Sequence, residues 1–169
     1  PKGEIAKQHD RLVRRVKQIL AKFKHSVLEN PAVGLEKMHH MLGDEDKKKI
    51  VDLCAYAWPY KKPTNLWIKG FEFKPQGRTG TGRCEEACQQ GCINPTTQRF
   101  RHYLAAASER KAPGKEMTCG MPPELLSEVL ASIAKKVNVT NKVILDLCAG
   151  FQSWRKVALE AGCIYVAVD

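Results

Sequence analysis

The sequence predicts an α/β fold interrupted by an irregular insertion, and three observations lead to this prediction. Near its end the chain runs apolar strand, glycine turn, amphipathic helix and apolar strand, which is the pattern of a βαβ unit. The first 69 residues combine an amphipathic helix with short strand-like runs. Residues 70–118 are rich in Gly, Thr, Arg and Cys and have little periodicity. We therefore divide the chain into segments 1–69, 70–118 and 119–169.

The first segment is predicted to begin with a helix and to continue with short strands. Apolar residues recur at helical spacing over residues 5–24, with Arg and Lys on the opposite face. A short buried strand is expected to stop at Pro31, because proline cannot donate to a strand ladder. Strands are predicted over 26–31, 50–56 and 65–68, a short helix over 34–41 and a solvated charged run over 44–49.

The last segment has the clearest periodicity. Pro122 and Pro123 open an amphipathic helix that runs to about residue 136, since proline is tolerated in a first turn. A strand over 142–148 is almost continuously apolar, as expected when both faces of a sheet are covered. A helix over 152–161 and a second apolar strand over 163–168 complete the βαβ unit, for which a right-handed crossover is expected.

The excess of basic residues lies entirely in the first two thirds of the chain. The net charge is +10, and residues 1–116 carry 23 Lys and Arg against 13 Asp and Glu, whereas residues 117–169 carry 5 of each. A one-sided basic surface suits a polyanion such as DNA, because lysines and arginines release counterions from phosphates. The alternative is a solubilising surface, and charge alone does not separate the two.

The lengths of the apolar runs and the pattern of cysteines indicate the cellular compartment of the protein. No apolar run approaches the roughly 18 residues of a membrane span, and the first residues show no secretory pattern, so we expect no membrane partner. Four of the seven cysteines stand alone in apolar runs, as buried free thiols do. We therefore expect an intracellular, reducing compartment, with the nucleus as one option.

The βαβ unit offers a nucleotide-type pocket. A glycine in its first turn lets the backbone approach a cofactor, and the helix N-terminus presents free N–H groups. Asp146 ends the first strand and Asp169 ends the second, where an acid can accept hydrogen bonds from two ribose hydroxyls. The alternative is a structural strand-to-helix turn, which many doubly wound domains contain.

The turn of this unit resembles a known cofactor motif. Residues 146–154, DLCAGFQSW, resemble the motif Asp-Leu-Phe-Ala-Gly-x-Gly-Gly-Phe of DNA cytosine-5 methyltransferases. The resemblance implies a partial Rossmann-like sheet and the cofactor S-adenosylmethionine (SAM). Cys148 replaces the aromatic residue and Gln152 the second glycine. By resemblance, the residues at the methionine end are Asp146, Ala149, Gly150, Phe151 and Ser153, and the residue at the ribose is Asp169.

Two further segments resemble the base pocket of the same family. Residues 27–31, VLENP, resemble its Glu-Asn-Val/Pro motif, which implies that the Glu29 carboxyl bonds the cytosine ring nitrogen and amine, with Asn30 beside it. Attack on C6 is helped by such a carboxyl when its pKa is raised. Residues 61–67, KKPTNLW, resemble a Lys/Arg-Pro-Thr-x-x-Trp segment of phage and algal relatives, implying that Lys62, and secondarily Lys61, contacts the cytosine carbonyl or a phosphate. The alternatives are a capped strand end and an exposed basic turn.

The remaining resemblance concerns the loop and helix before the βαβ unit. Residues 119–126, CGMPPELL, resemble the last motif of the family, which packs against the SAM site. The irregular segment 70–118 then falls where the family keeps its target-recognition region. Candidates for phosphate or base-edge contacts are Arg78, Arg83, Arg99 and Arg101.

A cysteine series lies in the irregular segment. Cys84, Cys88 and Cys92 have the spacing C-x3-C-x3-C, and His102 follows. Zinc sites use close pairs separated by two to four residues, and no clear second pair follows. The spacing therefore predicts no metal site.

The motif order differs from that of the family. The Glu-Asn motif comes first and the SAM motif last, as a circular permutation would give. No cysteine follows a proline, so the nucleophile of the family is missing. We expect a fragment or split subunit that is inactive alone, with DNA and a chain or segment supplying Pro-Cys as partners. One alternative is a non-catalytic nucleic-acid-binding or scaffold protein. Another is a SAM-dependent methyltransferase that acts on RNA or on adenine, but the Glu-Asn motif argues against this second alternative.

Overall fold

A computed structural model describes residues 3–31, 47–59, 61–84, 120–147 and 152–168, together with 88, 91–93, 96 and 100–102. The described part is mixed α/β, as predicted. Its helices are α1 (Glu4–Leu20), α2 (Pro123–Ala134) and α3 (Ser153–Glu160). Its strands are β1 (Ser26–Pro31), β2 (Lys47–Asp52), β3 (Pro63–Lys69), β4 (Gly91–Ile93), β5 (Phe100–His102), β6 (Val143–Leu147) and β7 (Ile164–Val168).

The first segment forms a three-stranded antiparallel sheet in the order β1-β3-β2. Strand β1 has the bounds predicted from the sequence, but it is an edge strand and half-buried rather than buried. Pro31 is tolerated there because an edge strand leaves one row of its backbone groups unpaired. The predicted helix over 34–41 lies outside the described residues.

Strand β2 differs in its bounds from the prediction. It begins at Lys47 and ends at Asp52, and a buried 3-10 turn over Leu53–Tyr56 follows, where the sequence predicted strand. The turn is closed by Ala57, whose φ is 63°. Residues 47–49, which belong to the charged run 44–49 that was expected to be solvated, are thus paired with β3. Lysines suit this position because β2 is the other edge of the sheet.

The last segment contains the predicted βαβ unit, in which β6 and β7 pair in parallel. The two strands were expected to be covered on both faces. In the described part of the chain, one face packs toward the helices through Ile144 and Tyr165. The other face is apolar and exposed, and it consists of Val143, Leu145, Ile164, Val166 and Val168. An almost continuous apolar run therefore shows that both faces of the strands are apolar, but it does not show that both faces are buried.

One hydrophobic core joins the first and last segments. Leu125, Leu126 and Val129 of α2 are fully buried against the sheet residues Val51 and Leu66. Helix α3 adds two further buried residues, Val157 and Ala158. The segments 1–69 and 119–169 thus share a core, to which the segment 70–118 adds the buried Phe71 and Phe73. The described part of 70–118 also contains a 3-10 turn and the short β4–β5 hairpin.

Helix α1 is shorter than predicted, ending at Leu20 instead of about residue 24. Its last turn is held near the sheet because the Lys69 ammonium donates to the Ala21 carbonyl at 3.2 Å. A cation at this end also opposes the negative end of the helix dipole. Among the described residues, no helix combines the length and the apolar character that crossing a membrane requires.

Candidate functional site

The structure brings Glu29 and Lys62 together. Glu29 lies in β1 opposite Leu66 of β3, and side chains alternate between faces along a strand. Lys62 directly precedes β3 and has the same parity as Leu66, so it lies on the face that carries Glu29. The Lys62 Nζ is 3.9 Å from the Glu29 Oε1. This contact depends on strand register, which the sequence does not state.

The carboxyl group of Glu29 is largely buried. Its side chain is 27% exposed and that of Lys62 is 16% exposed. Burial raises the pKa of Glu29 above its usual value, and the Lys62 charge opposes this only in part. Among the described residues, the Oε1 atom has no hydrogen-bond partner. A buried carboxyl oxygen in this state favours protonation or a hydrogen-bonding ligand.

The backbone of Lys62 is fixed by two hydrogen bonds. Its carbonyl oxygen accepts from the Leu53 N–H at 3.2 Å and from the Thr64 hydroxyl at 3.3 Å. Thr64 is fully buried, and Pro63 opens β3 without needing to donate to the ladder. The Lys-Pro-Thr sequence therefore fixes the backbone from which the lysine side chain reaches the carboxyl group.

Asn30 does not share the face of Glu29. It lies opposite Asn65 of β3, on the other side of the sheet. Asn65 is fully buried, and its side-chain oxygen and nitrogen have no hydrogen-bond partner among the described residues. Sequence reasoning did not single out Asn65, although a polar residue between Thr64 and Leu66 in a buried strand was a usable signal.

The predicted cofactor turn is described only from Gln152 onward. Gln152 has φ 51° and ψ 41°, the left-handed region that favours glycine, and it forms no side-chain cap on α3. This conformation is a physical reason for the glycine that the family motif has at this position. The Ser153 hydroxyl accepts a hydrogen bond from the Met121 N–H at 3.2 Å. The loop of residues 120–122 therefore packs against the start of α3.

The other predicted cofactor residues are described in part. Asp146 lies in β6, and its Oδ2 accepts a hydrogen bond from the Tyr165 hydroxyl of β7 at 2.7 Å. This bond fixes the carboxylate near the carboxyl end of the parallel strands, where ligands of open α/β sheets bind. The remaining cofactor residues of the prediction lie outside the described residues, and they are Ala149, Gly150, Phe151 and Asp169.

The two half-sites border the same hydrophobic core. Val27, two residues before Glu29, packs against the core cluster, and so does Trp154, two residues after Gln152. The sheet face that carries Glu29 is also the face that packs on α2 through Leu66. The base-pocket motif and the start of α3 are thus linked through one packed interior.

The basic residues assigned to nucleic acid have mixed surroundings. Arg78 is exposed and forms a two-bond ion pair with Glu124 of α2, with Nη2 to Oε1 at 2.5 Å, and this pair raises the Arg78 pKa. Arg83 pairs with the buried Asp52 at 3.0 Å. Lys61 is exposed. Arg99 and the side chain of Arg101 lie outside the described part, so the structure places only three of the five predicted contacts, Lys61, Arg78 and Arg83.

Sequence reasoning missed Cys54. It lies in the 3-10 turn after β2, 30 residues before Cys84, and its thiol lies close to those of Cys84 and Cys88. Burial, aided by the two neighbouring thiols, raises the pKa of Cys54. The only signal in the sequence was an isolated cysteine in an apolar run, which is typical of a buried thiol.

Comparison with known proteins gives this chain no relative. No protein-family model, no curated protein and no solved structure matches it. Function therefore has to be inferred from the residues themselves and from their geometry.

Proposed function

We propose that this chain is part of a SAM-dependent DNA cytosine-5 methyltransferase, as a fragment or as one chain of a split enzyme. In this proposal Glu29 and Lys62 belong to the cytosine pocket, and the β6–α3–β7 unit is one part of a Rossmann-like sheet that binds SAM. SAM supplies the methyl group. The nucleophilic thiolate comes from a segment or partner chain, because the sequence has no Pro-Cys dipeptide.

The observation that carries the proposal is the state of the Glu29 carboxyl group. It is buried, its pKa is raised, and its Oε1 has no hydrogen-bond partner among the described residues. A protonated carboxyl can donate to the cytosine ring nitrogen while its other oxygen accepts from the exocyclic amine. Thymine presents the opposite donors and acceptors at both positions, so the carboxyl selects cytosine as long as its proton stays on the oxygen that faces the ring nitrogen.

The pair with Lys62 adds a chemical function. Donation of a proton toward the ring nitrogen makes C6 more electrophilic, which assists attack by a thiolate. The Lys62 ammonium, 3.9 Å from the Glu29 Oε1, lies within reach of a neighbouring carbonyl or phosphate oxygen on the same base or strand. Such a pocket requires a base that has been flipped out of the duplex.

Three features of the second half-site support SAM as the cofactor. The strands β6 and β7 pair in parallel, and the sequence has a glycine, Gly150, between β6 and α3, where such units let a ligand approach the backbone. Gln152 gives the start of α3 no side-chain cap, and helix N-termini are sites where anionic ligand groups bind. The bond between Met121 and Ser153 supports the expected packing of the last motif on this turn.

A second function is favoured by the same turn. Gln152 stands in the left-handed conformation where the family has glycine, and it carries a side chain where the family has none. With the nucleophile missing from the sequence, these departures favour a non-catalytic nucleic-acid-binding or scaffold protein derived from the same fold. The two functions differ in whether the chain binds SAM.

Isothermal titration calorimetry with SAM separates these functions. The methyltransferase proposal predicts binding with a Kd on the order of micromolar, lost in Asp169→Ala and kept in Glu160→Ala, an exposed acid at the far end of α3. DNA binding without any heat from SAM would instead support the scaffold. Binding of neither ligand would reject both.

Covalent trapping tests the base pocket itself. The chain is combined with the segment or partner that carries Pro-Cys and is incubated with SAM and fluorocytosine DNA. A denaturant-resistant adduct is expected with the natural sequence and with Glu160→Ala, and it should be lost with Glu29→Ala. An adduct that is unaffected by Glu29→Ala removes the central residue from the proposal.

A further inference from the structure

Three cysteine thiols meet beside the first sheet. The sulfur atoms of Cys54, Cys84 and Cys88 all lie within 4.8 Å of one another. None of the three cysteines is in a disulfide bond, and Cys54 and Cys88 are buried. Sulfurs around a tetrahedral zinc ion, with bonds of about 2.3 Å, stand about 3.8 Å apart. The three thiols are thus close to the spacing that one ion requires.

The fold brings these cysteines together through Asp52. Its side chain is 1% exposed, and its Oδ2 accepts from the Cys84 N–H at 2.9 Å and pairs with Arg83 at 3.0 Å. Its own N–H donates to the Gly82 carbonyl at 2.9 Å. Cys54 lies two residues after Asp52, so these bonds set Cys84 beside it.

Gly82 allows the close approach of the loop. Its φ is 68°, and a side chain there would meet the Pro75 Cβ at 2.5 Å and the Tyr56 hydroxyl at 2.9 Å. A residue with a Cβ would push the loop away from the 3-10 turn that holds Cys54. The buried carboxylate and this glycine therefore build the cluster by two independent means.

We propose that Cys54, Cys84 and Cys88 bind one structural zinc ion as thiolates. Each thiol loses its proton to solvent when the ion binds. Thiolate ligands suit zinc, and neither Zn²⁺ nor its ligands need to change oxidation state. The cationic side chains of Arg83 and Lys61 stand near Cys84 and offset the negative charge of a three-thiolate site. The site is independent of the methyltransferase proposal.

A fourth ligand is available from the β4–β5 hairpin. Cys92 follows Cys88 by four residues, and the hairpin pairs residue 92 with Arg101 and Gly91 with His102. Cys92 and His102 therefore lie one position apart across the hairpin. Cysteine and histidine are both residue types that fill the fourth position of structural zinc sites, so these two residues are the candidates to be tested.

Zinc at this site would hold the irregular segment against the base pocket. The Leu53 N–H, next to Cys54, donates to the Lys62 carbonyl at 3.2 Å. One ion thus connects residues 84 and 88 of the irregular segment to the turn that supports Lys62. This link adds to the apolar contacts that Phe71 and Phe73 of the irregular segment make with the core.

The test begins with the full chain, purified under reducing conditions and stripped of metal. Titration with zinc should saturate at one ion per chain, and cobalt as a substitute should give thiolate charge-transfer bands and the intense visible bands of a tetrahedral site. Cys54→Ser, Cys84→Ser and Cys88→Ser should each lower zinc affinity by more than about 100-fold, since outer-shell changes alone cost 10–100-fold. Cys163→Ser, a buried free cysteine whose thiol donates to the Val139 carbonyl, is the matched control.

Three further variants identify the fourth ligand and the role of Asp52. Cys92→Ser and His102→Ala are compared by their cobalt spectra, and the variant whose spectrum differs from that of the natural chain identifies the fourth ligand. Asp52 is a positioning residue, so Asp52→Asn should lower zinc affinity by about 10–100-fold and leave the cobalt spectrum unchanged. A changed spectrum in Asp52→Asn would make Asp52 a ligand instead and overturn the three-thiolate core.

Alkylation of the natural sequence avoids any dependence on folding of the variants. In mild denaturant, zinc should protect Cys54, Cys84 and Cys88 from alkylation, whereas protection of Cys163 should not depend on zinc. The proposal is overturned if the chain binds no zinc, if Cys54→Ser keeps the natural affinity and spectrum, or if zinc leaves alkylation of Cys54 unchanged.

Discussion

The ion pair of Glu29 and Lys62 yields a prediction about coupling energy. At 3.9 Å and an effective dielectric constant near 20, the attraction is about 4 kcal/mol before desolvation is counted. The two side chains are 27% and 16% exposed, which lies between a surface pair and a fully buried one. We therefore expect a net coupling of about 1–2 kcal/mol when Glu29 is ionised.

The coupling depends on pH in a defined direction. The pKa of Glu29 in the folded chain is raised above 4.5, its value without burial. Folding thus favours the protonated form, and the stability that Glu29 contributes is fully present below pH 4.5 and is lost as pH rises through the folded pKa. Lys62 can attract the carboxyl group only after ionisation. Lys49, which lies on the same face opposite Leu66, is the other cation of this region.

A double-mutant cycle measures the coupling. The natural chain, the single variants Glu29→Gln and Lys62→Met and the double variant are unfolded with urea, and unfolding is followed by tryptophan fluorescence. The measurements are made below pH 4.5 and at about pH 8. The coupling should be near zero at the lower pH and about 1–2 kcal/mol at the higher pH. Glu29→Gln should also gain stability relative to the natural chain as pH rises. The reasoning fails if the coupling is below about 0.5 kcal/mol at the higher pH or is equal at both.

Three further predictions concern stability, measured by thermal or urea unfolding. Gln152→Gly should stabilise the fold by about 0.5–1 kcal/mol, because the release of left-handed backbone strain exceeds the entropy that glycine adds to the unfolded chain. The stability of Gln152→Asn should lie between that of the natural chain and that of Gln152→Gly, and a loss of stability in Gln152→Gly would contradict this reasoning. Glu128→Gln should destabilise the fold by about 1.5–3 kcal/mol, since the Glu128 carboxylate accepts hydrogen bonds from two loop N–H groups at 2.7 and 3.0 Å. The control Glu124→Gln, at an exposed residue, should cost much less, and equal losses of stability in the two variants would refute this prediction. Gly82→Ala should cost at least about 1 kcal/mol more than Gly80→Ala, because both have positive φ but only the first side chain meets other atoms; equal costs would show that the loop yields freely.

Local patterns in the sequence were sufficient to predict the regular elements. The bounds of β1 were predicted to the residue, and the βαβ order of the last segment was also correct, because period and turn residues are local properties. The same patterns placed β2 wrongly, since its lysines belong to an edge strand whose pairing with β3 is not a local property. Periodicity also failed to show which face of β6 and β7 would be covered.

For the site, the sequence supplied residue types and the fold supplied distances. Glu29 and Lys62 were named from motifs, but their contact arises from the register of β1 and β3. Arg83 was assigned to DNA, and its partner in the structure is the buried Asp52, which no spacing along the chain indicates. Cys54 joins Cys84 and Cys88 for the same reason.

By itself, the sequence determined the α/β composition, the basic first two thirds and the order of the βαβ unit, since each depends on neighbouring residues. Only the tertiary structure decided which carboxyl group is buried beside which cation and which thiols meet. Burial and coordination join residues that are distant along the chain, and the core packing and strand register that bring them together are properties of the whole molecule.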